Sequence, residues 1–208
     1  MTDRISKAEA TRQRILDAAA ALFGDQGYSA TTMRQIARRA RIDASSVYYY
    51  FESKEVILDE VLRIGIQAVF GAVEKAVGAL PDSATYRERI SVAVEAHLNT
   101  PLKYSVYTSA NIAVFGQVSD RAQNRNRDLR RRYADYWVKL LEAARDAGEI
   151  SQTADLSLLR LLLLGSLNWS LQWYDPKRKS IGEIARTFCA IVFDGVGADR
   201  AGANTRFQ

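Results

Sequence analysis

The sequence predicts an all-α protein, and three observations carry that prediction. Apolar residues recur at helical spacing over nearly the whole 208-residue chain. Only three prolines interrupt it, Pro81, Pro101 and Pro176, and no stretch alternates as a half-buried strand would. Residues able to cap helices stand where the periodic stretches begin.

The first helix is expected from about Glu9 to Asp25, with Ile15, Ala18, Ala19, Leu22 and Phe23 as its apolar stripe and Gly27 placed to end it. Thr32 followed three residues later by Gln35 is a capping-box pattern, opening a short helix at about Met33. Asp43 can cap a third helix running through Tyr50, and Ser53 a long one from Lys54 towards Ala79. Two short helices joined by a tight turn, packed beside longer ones, make a helix-turn-helix unit. Beyond Pro81-Asp82, helices are expected at about 83–99, 102–117, 119–147, 155–174 and 181–195, the last opened by a second capping box, Ser180 with Glu183. The reading divides the chain into an N-terminal unit at 8–68, with the helix-turn-helix at about 31–50, and a second domain at 69–196. Residues 197–208 are expected to be a flexible tail.

An apolar content of 48% is ample for a packed core. A single cysteine, Cys189, excludes a disulfide framework and suits the cytoplasm. One histidine, His97, leaves no material for a metal site or a catalytic triad, and it reads as a satisfied core residue. With no Gly-rich phosphate loop either, no cofactor is expected and an enzyme lacks its equipment. The start, "MTDRISKAEATRQRIL", has no apolar signal region. The most apolar run, "LSLLRLLLLGSLNWSLQWY", contains Arg160, Asn168 and Gln172 and reads as a helix buried on more than one side, not a membrane span. The net charge of +5 hints at an anionic partner. The cluster "RRAR" at 38–41 lies within the N-terminal unit.

Three adjacent tyrosines, Tyr48, Tyr49 and Tyr50, cannot all face a core, because successive helix positions point about 100° apart. They close a stretch, "TRQRILDAAAALFGDQGYSATTMRQIARRARIDASSVYYYFESKEVILDEVL", that closely resembles the N-terminal domain of the Tet-repressor (TetR) family of transcriptional regulators. The resemblance covers roughly residues 8–68 and rests on "TRQRIL", "GYSATT", "IA" and "YYYFESKE" in order. It implies a dimeric DNA-binding protein whose variable C-terminal domain binds a small effector, so that a repressor leaves a palindromic operator. Thr32 and the free N–H groups of its helix can hold a phosphate. Arg34 can reach a guanine edge or a phosphate. Ala44, Ser45 and Ser46 are small enough for the third helix to enter the major groove closely and offer hydroxyls and a methyl to bases. Tyr48 and Tyr49 point phenols at phosphate oxygens, Tyr50 at bases or backbone, and Lys54 is expected as a phosphate contact. Val47 and Phe51 form the core side. Two departures from the family pattern stand out: Arg41 occupies the turn position that usually carries Gly, and Tyr49-Tyr50 replaces the common His-His.

In the family the last two helices pair with those of a second subunit, which implies Leu158, Leu162, Ile184, Phe188, Ile191 and Val192 as the interface of a homodimer. Leu164, Asn168 and Gln172 share one helix face. The two amides need partners: each other, backbone carbonyls or a ligand's polar group. Trp169 and Trp173 suit core or interface, with Trp169 also a candidate beside the ligand, and Tyr104, Tyr107, Asn111 and Phe115 are candidates for a pocket wall. The run "GSLNWSLQWYDP" is similar to a segment in family members that respond to acyl-coenzyme A thioesters in lipid or steroid catabolism. An acyl-CoA is therefore the expected effector. Arg125, Arg127, Arg130, Arg131 and Arg132 either meet its phosphates or form a solvated helix face. The competing readings are a basic helical protein coating nucleic acid without specificity and, further off, an enzyme.

Overall fold

The computed structural model describes residues 6–114 and 124–195, leaving out the side chain of Tyr104. The expected tail at 197–208 and the pocket candidate Phe115 lie outside the described residues. Among those described there are nine α-helices, one π-helical turn and no strand.

Helix α1 spans Lys7–Ala30, opened by Ser6, whose hydroxyl accepts from the Glu9 N–H. Gly27, at φ 82°, breaks its regular geometry one turn before the end. The capping box of Thr32 and Gln35 opens α2, Met33–Ala40, and α3 runs Ala44–Tyr50. Ser53 caps α4, Lys54–Gly78. Helix α5, Tyr86–Asn99, starts at a capping box of Thr85 with Glu88. The helix expected from residue 102 starts later, because Thr100–Tyr104, with Pro101 at its first turn, forms a π-helical turn before α6, Val106–Val114. The C-terminal helices are α7, Arg127–Asp146, α8, Leu156–Trp173, and α9, Ile181–Asp194. No described helix is long and apolar enough to cross a membrane.

The core falls into two clusters. One gathers Ile15, Phe23, Ile36, Val47, Phe51, Ile57 and Leu62 from α1 to α4, and the other runs from Val69 through Val94, Trp137 and Leu163 to Cys189. Helix α6, assigned from sequence to the second domain, places Tyr107, Ala110 and Val114 in the first cluster instead. It lies against both α1 and α4. At the α4 crossing a Cβ on Gly65 would stand 2.5 Å from the Tyr107 carbonyl oxygen, so only glycine permits this approach.

Helix α8 is not buried on several sides within this chain. It buries Leu156, Leu163, Leu167 and Ser170, while Leu158, Leu161, Leu162, Trp169 and Trp173 remain exposed. Helix α9 packs on α5, where Arg87 donates both terminal guanidinium nitrogens to the Asp194 carboxylate.

Candidate nucleic-acid interface and internal cavity

The helix-turn-helix presents one polar face held by local structure. The Thr32 hydroxyl accepts from the Gln35 N–H at 3.2 Å, and the Gln35 side-chain Oε1 accepts from the Thr32 N–H at 2.7 Å. The Met33 and Arg34 N–H groups of this first turn have no intrahelical acceptor and stay available at the positive end of the helix. Arg34, Ala44 and Ser45 are exposed and Ser46 half-buried, while Val47 and Phe51 lock α3 into the core. Tyr48 is exposed and Tyr49 is 85% exposed. Tyr50 is half-buried, packed on the core and edge-on to Tyr49. Exposed phenols beside small residues leave a surface that can enter a duplex groove.

Lys54, expected as a phosphate contact, is held by backbone carbonyls. Its ammonium donates to the Tyr28 carbonyl at 2.9 Å and the Thr31 carbonyl at 2.7 Å, and it sits 4.2 Å from the centre of the Tyr28 ring. A cation is drawn there because the carbonyls closing α1 form a negative helix end. Lys54 therefore ties the start of α4 to the chain just before Thr32. The Tyr28 hydroxyl donates to Glu55 at 2.9 Å. Burial and that carboxylate raise the Tyr28 pKa, while hydrogen bonds, backbone first, then Ser53 and Tyr28, lower that of Glu55.

A cavity of about 470 Å³ opens between α4, α5, α6, α7 and α8. Ile66, Val69, Leu161 and Leu164 supply apolar wall. His97, Asn111, Arg130, Arg160 and Asn168 supply the polar groups. His97 is 3% exposed, and its ring bridges the Tyr133 hydroxyl at Nδ1, 2.7 Å, and the Asn168 Oδ1 at Nε2, 3.2 Å. Since Oδ1 can only accept, that orientation makes Nε2 the donor and leaves Nδ1 to accept the Tyr133 proton. Asn168 is then free to turn its NH₂ to the cavity. Burial lowers the His97 pKa to about 4, partly opposed by the Asn168 hydrogen bond, and burial raises that of Tyr133. Asn111 donates to the Leu62 carbonyl of α4 at 2.8 Å and accepts from Arg130 at 3.2 Å, and burial lowers the Arg130 pKa.

The cavity thus brings together three of the sequence candidates, Asn111, Arg130 and Asn168. Tyr107 points away: its hydroxyl donates to Asp17 at 2.5 Å and accepts from Gln13 at 2.8 Å, fastening α6 to α1. Trp169 is 65% exposed because it follows Asn168 by one position, about 100° round α8, and Gln172, on the Asn168 face but one turn beyond the cavity wall near the end of the helix, is exposed as well. The side chain of Tyr104 lies outside the described residues, and its backbone ends the π-helical turn. Of the five-arginine stretch, Arg130 alone lines the cavity. Arg125 pairs with Asp59, and Arg127, Arg131 and Arg132 are exposed. Sequence reading missed His97, Tyr133 and Arg160 as wall residues. The one available signal was that Arg130, Tyr133 and Trp137 follow each other at helical spacing along the buried stripe of α7. Among the interface candidates Leu158, Leu162 and Ile191 are exposed, and Phe188 and Val192 are half-buried. Ile184 packs into its own chain's core instead, since it shares the α9 face that covers α5.

Comparison with known proteins agrees with this architecture. The family model described as bacterial regulatory proteins, tetR family, matches residues 15–61. That described as tetracyclin repressor-like, C-terminal domain, matches residues 83–196. The HTH-type transcriptional repressor KstR2 of Rhodococcus jostii is 29% identical over 198 residues, covering 94% of this chain and 96% of that protein. The structure of ketosteroid transcriptional regulator KstR2 of Mycobacterium tuberculosis superposes with a TM-score of 0.72 at 25% identity, over 88% of this chain and 93% of that one. The TetR family transcriptional regulator PfmR from Thermus thermophilus superposes with a TM-score of 0.75 at 26% identity, over 90% and 97%. With the C-terminal match alone spanning more than half of its length, and a helix-turn-helix before it, the chain belongs to the tetR family of bacterial regulatory proteins.

Proposed function

We propose that this chain is a cytoplasmic, homodimeric transcriptional repressor that leaves its operator when an acyl-coenzyme A thioester enters the cavity. One observation carries the reading: a single helix, α4, belongs to both places. Gly65, Ile66 and Val69 line the cavity, while Lys54 at the start of the same helix grips the carbonyls beside Thr32. A ligand that favours a different setting of α4 must move the helix-turn-helix with it, and it shifts the equilibrium by its differential affinity for the two settings.

Thr32 and Arg34 meet the duplex from α2, and Ala44, Ser45, Ser46, Tyr48, Tyr49 and Tyr50 from α3. Leu158, Leu162, Trp169 and Trp173 of α8, with Ile191 of α9, pair two copies, whose recognition helices then enter major grooves about one turn, ~34 Å, or a multiple apart. In the cavity the Asn168 amide reads a carbonyl oxygen, Leu161 and Leu164 hold the acyl group, and Arg130 and Arg160 supply positive charge for an anionic group. The kinship with repressors, one of them named a ketosteroid regulator, supports a lipid-like effector. A protein merely coating nucleic acid would need neither this cavity nor a face of small recognition residues.

The test begins with duplexes selected by the protein from a random pool. The selected duplex complex is titrated with acyl-CoA thioesters, the matching free acids, and coenzyme A. Release is expected from a thioester alone, and Asn168→Leu should bind DNA yet resist release. Equal affinity for selected and random duplexes would remove the operator reading. A complex indifferent to every thioester would remove the effector class.

A further inference from the structure

We propose that α2 and the turn after it form a phosphate track of three arginines, Arg34, Arg38 and Arg41, and that Arg41 occupies a glycine position for this purpose. The inference rests on the operator-binding reading above and extends it to residues outside the recognition helix. Arg34 and Arg38 stand at i and i+4 on one face of α2, Arg41 follows at the turn that ends the helix, and all three are exposed. The opposite side of α2 is the core side, with Ile36, Ala37 and Ala40. Arg39, off this line, is held by Asp25 at 3.1 Å. Among the described residues none of the other three arginines forms an ion pair. Positive charge is thus neutralised beside the line and left open along it.

The second observation is the backbone of Arg41. At φ 57° and ψ 50° it is the one non-glycine residue with positive φ among those described. Glycine takes this conformation without strain and arginine does not. Strain of this kind persists where the side chain has a use that glycine lacks. No packing use is visible, because the side chain is exposed. Its carbonyl-closing role, the N–H donated to Ala37 and Arg38, needs only the backbone. What the side chain adds is a guanidinium.

Position decides the partner. The line starts beside Thr32 and ends two residues before the Asp43 cap of α3, so both ends adjoin groups that face the duplex. The seven steps from Arg34 to Arg41 rise ~10 Å, about three steps of ~3.4 Å along one DNA strand, so the line reaches over about four consecutive phosphates. Guanidinium groups suit phosphate oxygens. The track carries no base information, so it acts equally on all sequences and fixes the register in which α3 is inserted.

The test compares full-length wild type with Arg38→Ala, Arg41→Gly and Arg41→Lys on the selected duplex and on a random duplex, between ~50 and ~200 mM salt. Arg38→Ala and Arg41→Gly should each flatten the dependence of log affinity on log salt by about 0.9 and weaken both duplexes by the same factor. Arg41→Lys should keep the slope. The melting temperature of Arg41→Gly should equal or exceed that of wild type, so weaker binding cannot come from unfolding. Wild-type slope and affinity in Arg41→Gly would overturn the track and leave operator binding standing. A wild type that binds neither duplex would instead remove the operator reading itself, and the track with it.

Discussion

Acidification should destabilise this protein through His97 alone before its carboxylates begin to titrate. The ring is 3% exposed and accommodated neutral between Tyr133 and Asn168, with its folded pKa lowered to about 4. In the unfolded chain the same group titrates near 6.5. As pH falls through that value the unfolded state takes up a proton that the folded state refuses, so stability is full above ~6.5 and is lost progressively down to ~4. At 1.36 kcal/mol per unit the complete loss is roughly 3 kcal/mol, and about 2 kcal/mol is gone by pH 5. That is a large share of a domain's total of ~5–15 kcal/mol. The comparison is urea unfolding of wild type and His97→Gln at one protein concentration, in steps from pH 7 to pH 5. The variant is less stable at pH 7, having lost a fitted ring, but its stability should hardly change across this window. Glu55, Glu60, Glu88, Glu183 and Asp194, all with lowered pKa values, contribute losses at lower pH that are common to both proteins. Parallel curves for the two proteins between pH 6.5 and 5 would refute the buried neutral histidine.

Gly65→Ala should cost about 1–3 kcal/mol, because the added methyl meets the rigid Tyr107 carbonyl and not a movable side chain; thermal unfolding reads it. Lys54→Met should lose about 1–2 kcal/mol with its two carbonyl hydrogen bonds and leave the salt dependence of DNA binding close to wild type. A drop in slope of a full unit would restore it as a phosphate contact. Leu162→Glu, at the exposed face of α8, should yield monomers in sedimentation, whereas an unchanged dimer would place the interface elsewhere.

Much of the DNA-facing unit was legible in sequence because its signals act within one or two turns of chain. The Thr32–Gln35 box, the small residues at 44–46 and the inward pair Val47 and Phe51 need nothing from distant segments to take their places. The turn at Arg41 was likewise marked by an arginine where family members carry glycine, and its positive φ follows from the local geometry of the helix end. The caps of α4 and α9 belong to the same class.

The cavity belongs to another class, since its polar wall joins His97, Arg130, Arg160 and Asn168 from separate helices. Helical periodicity states which residues share a face, but the crossing of helices decides what that face meets. Gly65 lets α6 approach α4 closely, and Tyr107 of α6 turns to Asp17, not to the cavity. The same limit applies to Lys54, whose carbonyl partners lie more than twenty residues earlier. On α8, an apolar surface nearly all around is a property of the sequence. Its division into an inner face of Leu163 and Leu167 and an outer face of Leu158, Leu162 and Trp169 is made by the neighbours that cover one side only. Local hydrogen bonds and side-chain period are written residue by residue, whereas a cavity and an uncovered face exist only once separate helices have packed.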